Sequence, residues 1–230
     1  MVRRQNRHAA LALALTIFAA GPAVAQDGPE VSFNLGAASD YVFRGVSQTQ
    51  GDPQVFGGAD VTWGKVYAGT WLSNVDYGDG TDAEYDLYVG VTPQLGAVSF
   101  DLAALFYGYV DAPSGADYDY VELQATASVP VGPATFGAGV YHAPDSYGGV
   151  DHSTYVEANA SYSPRENLSV SGAIGRQTFA GPGDYTTWNF GVGYKLTDHL
   201  TVDLRYHDTS RHRLGKTYGD RATVSLTAAF

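Results

Sequence analysis

From Val31 onward the chain alternates apolar and polar residues with a period of two, in segments of about ten residues set apart by Gly, Asp, Pro and Ser. The last segment shows it without a break. Ala222, Val224, Leu226, Ala228 and Phe230 point one way and Arg221, Thr223, Ser225 and Thr227 the other, because successive side chains on a strand take opposite faces. The same pattern predicts twelve strands: Val31–Gly45, Gln54–Trp63, Val66–Val75, Glu84–Thr92, Val98–Tyr109, Tyr120–Val129, Ala134–His142, Thr154–Ser163, Leu168–Gln177, Thr186–Lys195, Leu200–Asp208 and Arg221–Phe230. In the first, Val31, Phe33, Leu35, Ala37, Tyr41 and Phe43 oppose Ser32, Asn34, Asp40 and Arg44. In Val66–Val75 two sets of residues compete for the apolar face, and its facing stays open.

The connections alternate in length. Val46–Pro53, Asp76–Ala83, Val110–Asp119, Ala143–Ser153, Thr178–Tyr185 and Thr209–Asp220 are long; Gly64-Lys65, Pro93–Ala97, Pro130–Pro133, Pro164–Asn167 and Leu196–His199 are short. An even number of strands with long loops on one edge and short turns on the other is the layout of an outer-membrane barrel. The expected fold is all-β: a twelve-stranded antiparallel transmembrane β-barrel, an up-and-down meander with both termini on the periplasmic, short-turn edge. Closure removes the free sheet edges that a bilayer would penalise.

The N-terminus has a different pattern. Arg3, Arg4 and Arg7 precede the apolar run Ala9–Ala20, and Ala23-Val24-Ala25 supplies small residues before Gln26. This predicts a signal peptide over residues 1–25, cleaved after Ala25, ahead of a barrel domain over 26–230 and hence export to the outer membrane. The chain contains no cysteine, so no disulfide supports the fold. Its formal charge of −11 becomes −14 without the three leader arginines, which argues against nucleic acid as a partner.

The inward faces carry Asp40, Asp60, Glu84, Asp86, Asp101, Glu122, Glu157 and Asp203 against Arg44, Lys195, Arg205 and Arg221. A lumen lined this way is net acidic and favours cations or small polar solutes over anions. The alternative is that these charges pair off and brace the wall of a non-conducting barrel. Phe43, Trp188 and Tyr206 at one rim, and Trp63, Tyr162, Tyr194 and Phe230 at the other, read as aromatic girdles against lipid. The basic loop Thr209–Asp220 is a candidate for either a constriction folded inward or a contact with lipopolysaccharide phosphates. Asp76–Asp82 reads as turn chemistry rather than a metal loop, and no cofactor is expected. A phospholipase-type enzyme would need a serine and a histidine in register, and His142, His152, His199, His207 and His212 show no such pattern.

Asn34–Thr49, with its Ser39-Asp-Tyr-Val-Phe-Arg-Gly45 run, followed by Gln54–Asp60, Tyr67–Val75 and Glu84–Gly90, resembles the TorF-type porins of Gram-negative bacteria, over residues 31–92 and more loosely at the terminal Phe230. The resemblance implies an outer-membrane β-barrel, and it suggests that the outer-membrane assembly machinery recognises Phe230. With the acidic lumen, the expected activity is passive diffusion of small solutes or ions, without catalysis.

Overall fold

The computed structural model describes residues 28–230, so the expected signal peptide lies outside the described residues. Within them, twelve strands close into an antiparallel barrel. They are β1 (Glu30–Ala38), β2 (Gln54–Trp63), β3 (Val66–Asn74), β4 (Ala83–Val91), β5 (Val98–Val110), β6 (Tyr120–Val131), β7 (Ala134–Ala143), β8 (Ser153–Arg165), β9 (Leu168–Phe179), β10 (Tyr185–Lys195), β11 (Leu200–Thr209) and β12 (Arg221–Ala229). Each pairs with its sequence neighbours, and β1 meets β12 from Asn34 opposite Ala229 to Ala38 opposite Ser225. The Phe33 and Phe230 N–H groups each donate to the other's carbonyl, at 3.1 and 2.9 Å, which extends the seam to the last residue.

The wall is inverted relative to a water-soluble protein. Leu35, Val55, Leu72, Leu87, Leu123, Phe190 and Leu204 are exposed outward, whereas Asn34, Asp60, Ser73, Glu84, Asp86, Glu122, Gln177, Thr187 and Thr223 are buried inside. Apolar residues can stay on the outer face only where the surrounding medium is itself apolar, as in the hydrocarbon core of a bilayer. The facing of β3, open in the sequence, is resolved by burial. Tyr67, Trp71 and Ser73 turn inward, and Val66 and Leu72 turn outward.

Two features differ from the sequence reading. The run Val31–Gly45 is not one strand. β1 stops at Ala38, and residues 39–53 leave the wall and fold back into the lumen around a small hairpin, Val42–Phe43 against Val46–Ser47. The loop expected over Thr178–Tyr185 shrinks to 180–184, because Thr178 and Phe179 continue pairing with Thr154 and Ser153 of β8 and Tyr185 pairs with Gln177, while the turn after β4 forms its own short rung, Gln94–Leu95 on Val98–Ser99. Neighbouring connections still alternate in length along the chain, although 180–184 is now shorter than the turn over 92–97.

Outward residues should tolerate no charge. Leu204→Arg, near the middle of β11 and facing out, is expected to destabilise the folded barrel by about 2–4 kcal/mol in lipid. Ser225→Asn, facing in on the neighbouring β12 opposite Asp203, should cost far less. Urea titration of the barrel in lipid vesicles, followed by the heat-modifiable gel shift, compares the two.

Candidate functional site

The hairpin in residues 39–53 is built from its own polar side chains. Asp40 accepts hydrogen bonds from Ser47 Oγ at 2.6 Å and Thr49 Oγ1 at 2.9 Å, and the Tyr41 N–H donates to Thr49 Oγ1. These bonds give the backbone an alternative to the wall ladder directly after Ala38. Arg44 and Gly45 form the two-residue tip with φ of 48° and 82°, the left-handed pair that a tight hairpin of this twist requires. Gly45 lies against Thr187 and Thr209 on the far wall, where a Cβ would collide with the Thr187 side chain. At the base, Arg221 on β12 donates to Asp40 at 2.8 Å.

Across the lumen, Arg44 reaches Glu122 on β6. Its two terminal nitrogens donate to the two carboxylate oxygens, both at 2.8 Å, and Nη1 also approaches Gln177 Oε1 of β9 at 3.4 Å. The guanidinium carbon sits 4.5 Å from the ring centre of Tyr155, 4.9 Å from Tyr141 and 4.7 Å from Phe43, within cation–π range on each face. The pair is sealed, with the Glu122 side chain 1% and Arg44 10% exposed. Tyr107 stacks on Tyr120 at 4.5 Å beside it, and Tyr41 packs edge-on to Trp71. Together these groups form a packed plug across the long-loop end of the barrel.

Every interior arginine is matched by one acid: Arg44 with Glu122, Arg221 with Asp40, and Arg205 with Asp203, its neighbour two residues away on β11. Arg205 also donates to Asn189 and Ser171. The other carboxylates rest on neutral partners. Tyr41 donates to Glu84 at 2.7 Å, Tyr88 to Asp60 at 2.6 Å, Tyr67 to Asp101 at 2.8 Å and Tyr155 to Glu157 at 2.7 Å, with Gln124 and Asn159 adding bonds to Asp101 and Glu157. Neither carboxylate oxygen of Asp86 has a hydrogen-bond partner, although the residue is 1% exposed. Among the described residues the interior ionisable groups are thus organised as three ion pairs, four acids held by tyrosine hydroxyls, and Asp86, which has no hydrogen-bond partner.

Some expected site residues lie elsewhere than the sequence implied. Tyr41 and Phe43, assigned to the lipid face, are inside; Phe43 packs on Tyr107 and beneath Arg44 and takes no part in a girdle. The reason is the loss of strand periodicity after Ala38. Glu122 is enclosed by the hairpin rather than bathed by lumen water. Lys195 is exposed at the short-turn end. Trp63, Tyr162, Tyr194 and Phe230 are exposed outward at that end, Trp188 is outward at the other, and Tyr206 is partly covered on the same outer face as Leu204.

The inward tyrosines were missed by sequence reasoning, although Tyr88, Tyr120 and Tyr155 share parity with Asp86, Glu122 and Glu157 two residues away. The lumen is narrowed by the first loop, while Lys216–Tyr218 of the last loop packs over the hairpin at Val46–Ser47. Asp76 and Asp79 are used in turns, capping the N–H groups of Gly78 and Thr81. The Tyr118 hydroxyl, 2.7 Å away, and the Thr81 N–H hold the exposed Asp79 carboxyl below its ordinary value. His142, His207 and His212 meet Thr154, Thr223 and Asp208, and Ser153 meets Ser146.

A bacterial family described as "Bacterial protein of unknown function (Gcw_chp)" matches residues 22–230. The chain belongs to this family. Solved porins are similar to this chain in structure. The KdgM porin superposes with a TM-score of 0.62 at 7% identity, over 86% of this chain and 99% of that one. The NanC porin gives 0.58 at 10% identity, over 87% and 99%. A KdgM structure titled as a complex with disordered oligogalacturonate gives 0.60 at 7%, over 87% and 98%. At these identities the likeness is one of fold. A search of curated proteins finds no match.

Removing one partner of the buried pair leaves the other charge uncompensated, at a cost of about 3–5 kcal/mol. Glu122→Ala is expected to release the hairpin while the wall, whose ladder does not include it, persists. Hydrogen exchange should accelerate at residues 41–48 and remain slow in β6 and β7.

Proposed function

We propose that this Gcw_chp protein is an outer-membrane channel for passive diffusion of small cations or small polar solutes. The observation that carries the reading is the closed barrel with an apolar exterior and a lumen lined by carboxylates, tyrosines and amides. A barrel whose interior served only packing would have no need of five acids without basic partners. The likeness of residues 31–92 to TorF-type porins and the shared fold with KdgM and NanC support the same class. Here the surplus of interior acid favours cations, since carboxylates along a narrow path lower their barrier.

In this reading the leader ending at Ala25 exports the chain, both termini face the periplasm, and the long loops face outward. The cluster Arg211, His212, Arg213 and Lys216 on the last loop suits lipopolysaccharide phosphates, and Phe230 serves the assembly machinery. No catalytic step is assigned.

Planar-bilayer recording tests the channel. Small steps are expected for the wild type, with a reversal potential of cation sign in a salt gradient. Arg44→Gly, which removes the side chain at a tip position that glycine adopts freely, should enlarge the steps. Silence from both proteins would point to a purely structural barrel; an anion-signed reversal potential would remove the acidic-lumen argument.

A further inference from the structure

The groups that hold Arg44 belong to the wall. Glu122 is on β6, Tyr141 on β7, Tyr155 on β8 and Gln177 on β9, so four adjacent strands present a carboxylate, an amide oxygen and two ring faces to one point in the lumen. Arg44 belongs to the hairpin, which is separate from the wall ladder. A buried carboxylate beside aromatic rings is a receptor for a planar, delocalised cation, because it supplies bidentate acceptors and adjacent π surfaces. The receptor half is rigid, and its occupant is carried on a loop.

A second observation concerns hydrogen-bonding capacity beside this cage. Asp86 on β4 is directly opposite Tyr107 in the ladder. The Tyr107 hydroxyl in turn approaches Glu122 Oε1 at 3.4 Å. Asp86 is almost wholly buried and neither of its oxygens has a partner. A buried carboxyl oxygen without a partner accepts a hydrogen bond from a donor that reaches it.

We infer that the Glu122–Tyr141–Tyr155–Gln177 cage is a solute-binding site for alkylguanidinium cations, and that Arg44 occupies it as a tethered internal ligand. A free guanidinium-bearing solute competes with Arg44 for Glu122, releases the hairpin and takes its place at the constriction. This deepens the channel reading and rests on it for the solute's passage, but the site itself is testable without any conduction.

The barrel is purified in detergent as wild type, Arg44→Gly and Arg44→Gly/Glu122→Gln, and thermal unfolding is followed with and without methylguanidinium, using sodium at equal ionic strength as control. Methylguanidinium should raise the melting temperature of Arg44→Gly, where Glu122 lacks its partner. The shift should be smaller in the wild type, whose own arginine competes, and lost in the double variant. No shift in Arg44→Gly, or an equal one in the double variant, overturns the proposal. If Arg44→Gly does not fold alone, methylguanidinium present during refolding should restore it; refolding that fails with methylguanidinium, or succeeds equally with sodium, overturns the proposal. A protein that binds methylguanidinium yet never conducts keeps the site and loses the channel, whereas one that conducts without binding does the reverse.

Discussion

Backbone polar groups inside a bilayer have no water to turn to, and the pairing of β1 with β12 is what lets every one of them on the wall find a neighbour. Once that seam closes from Asn34–Ala229 to Ala38–Ser225, the twelve strands enclose a lumen, and strict alternation sends each strand's polar residues into it. Enclosure then sets the chemistry. Acids such as Asp60 and Asp101, which would be solvated on an open sheet, are enclosed with inward tyrosines of other strands, Tyr88 and Tyr67, that become their donors.

The wall was legible in the sequence because period-two alternation responds to a single variable, which side faces lipid. Val121-Glu-Leu-Gln124 and Leu200–Tyr206 could be read outright. The lumen was much less so. Tyrosine suits both a lipid interface and a hydrated interior, so its identity alone does not distinguish Tyr162 outside from Tyr155 inside; only parity with a nearby acid does. The hairpin was hidden for another reason. Tyr41 and Phe43 continue the apolar spacing of β1 by two further steps, and an Arg-Gly tip is a weaker turn signal than Asn-Gly. What bends the chain inward is the hydrogen bonding of Asp40 to Ser47, Thr49 and Arg221, whose most remote partner is near the other end of the sequence.

Charge inside the barrel is divided by depth and by partner. At the long-loop end the arginines of the hairpin base and tip meet Asp40 and Glu122, which stiffens the plug. Further along, Arg205 bonds to Asp203, Asn189 and Ser171 across β9–β11, while Asp60 on β2, Asp101 on β5 and Glu157 on β8 are hydrogen-bonded by tyrosines.

The Asp40–Arg221 bridge also imposes an order on assembly. Asp40 follows β1 and Arg221 opens β12, the first and last strands of the wall, so this bond can form only when the two ends of the chain have met. The same carboxylate organises the hairpin that fills the lumen. Seating of the plug is therefore thermodynamically linked to completion of the ring: an open, partly zipped sheet holds Asp40 without its arginine, and the sealed state belongs to the finished barrel alone.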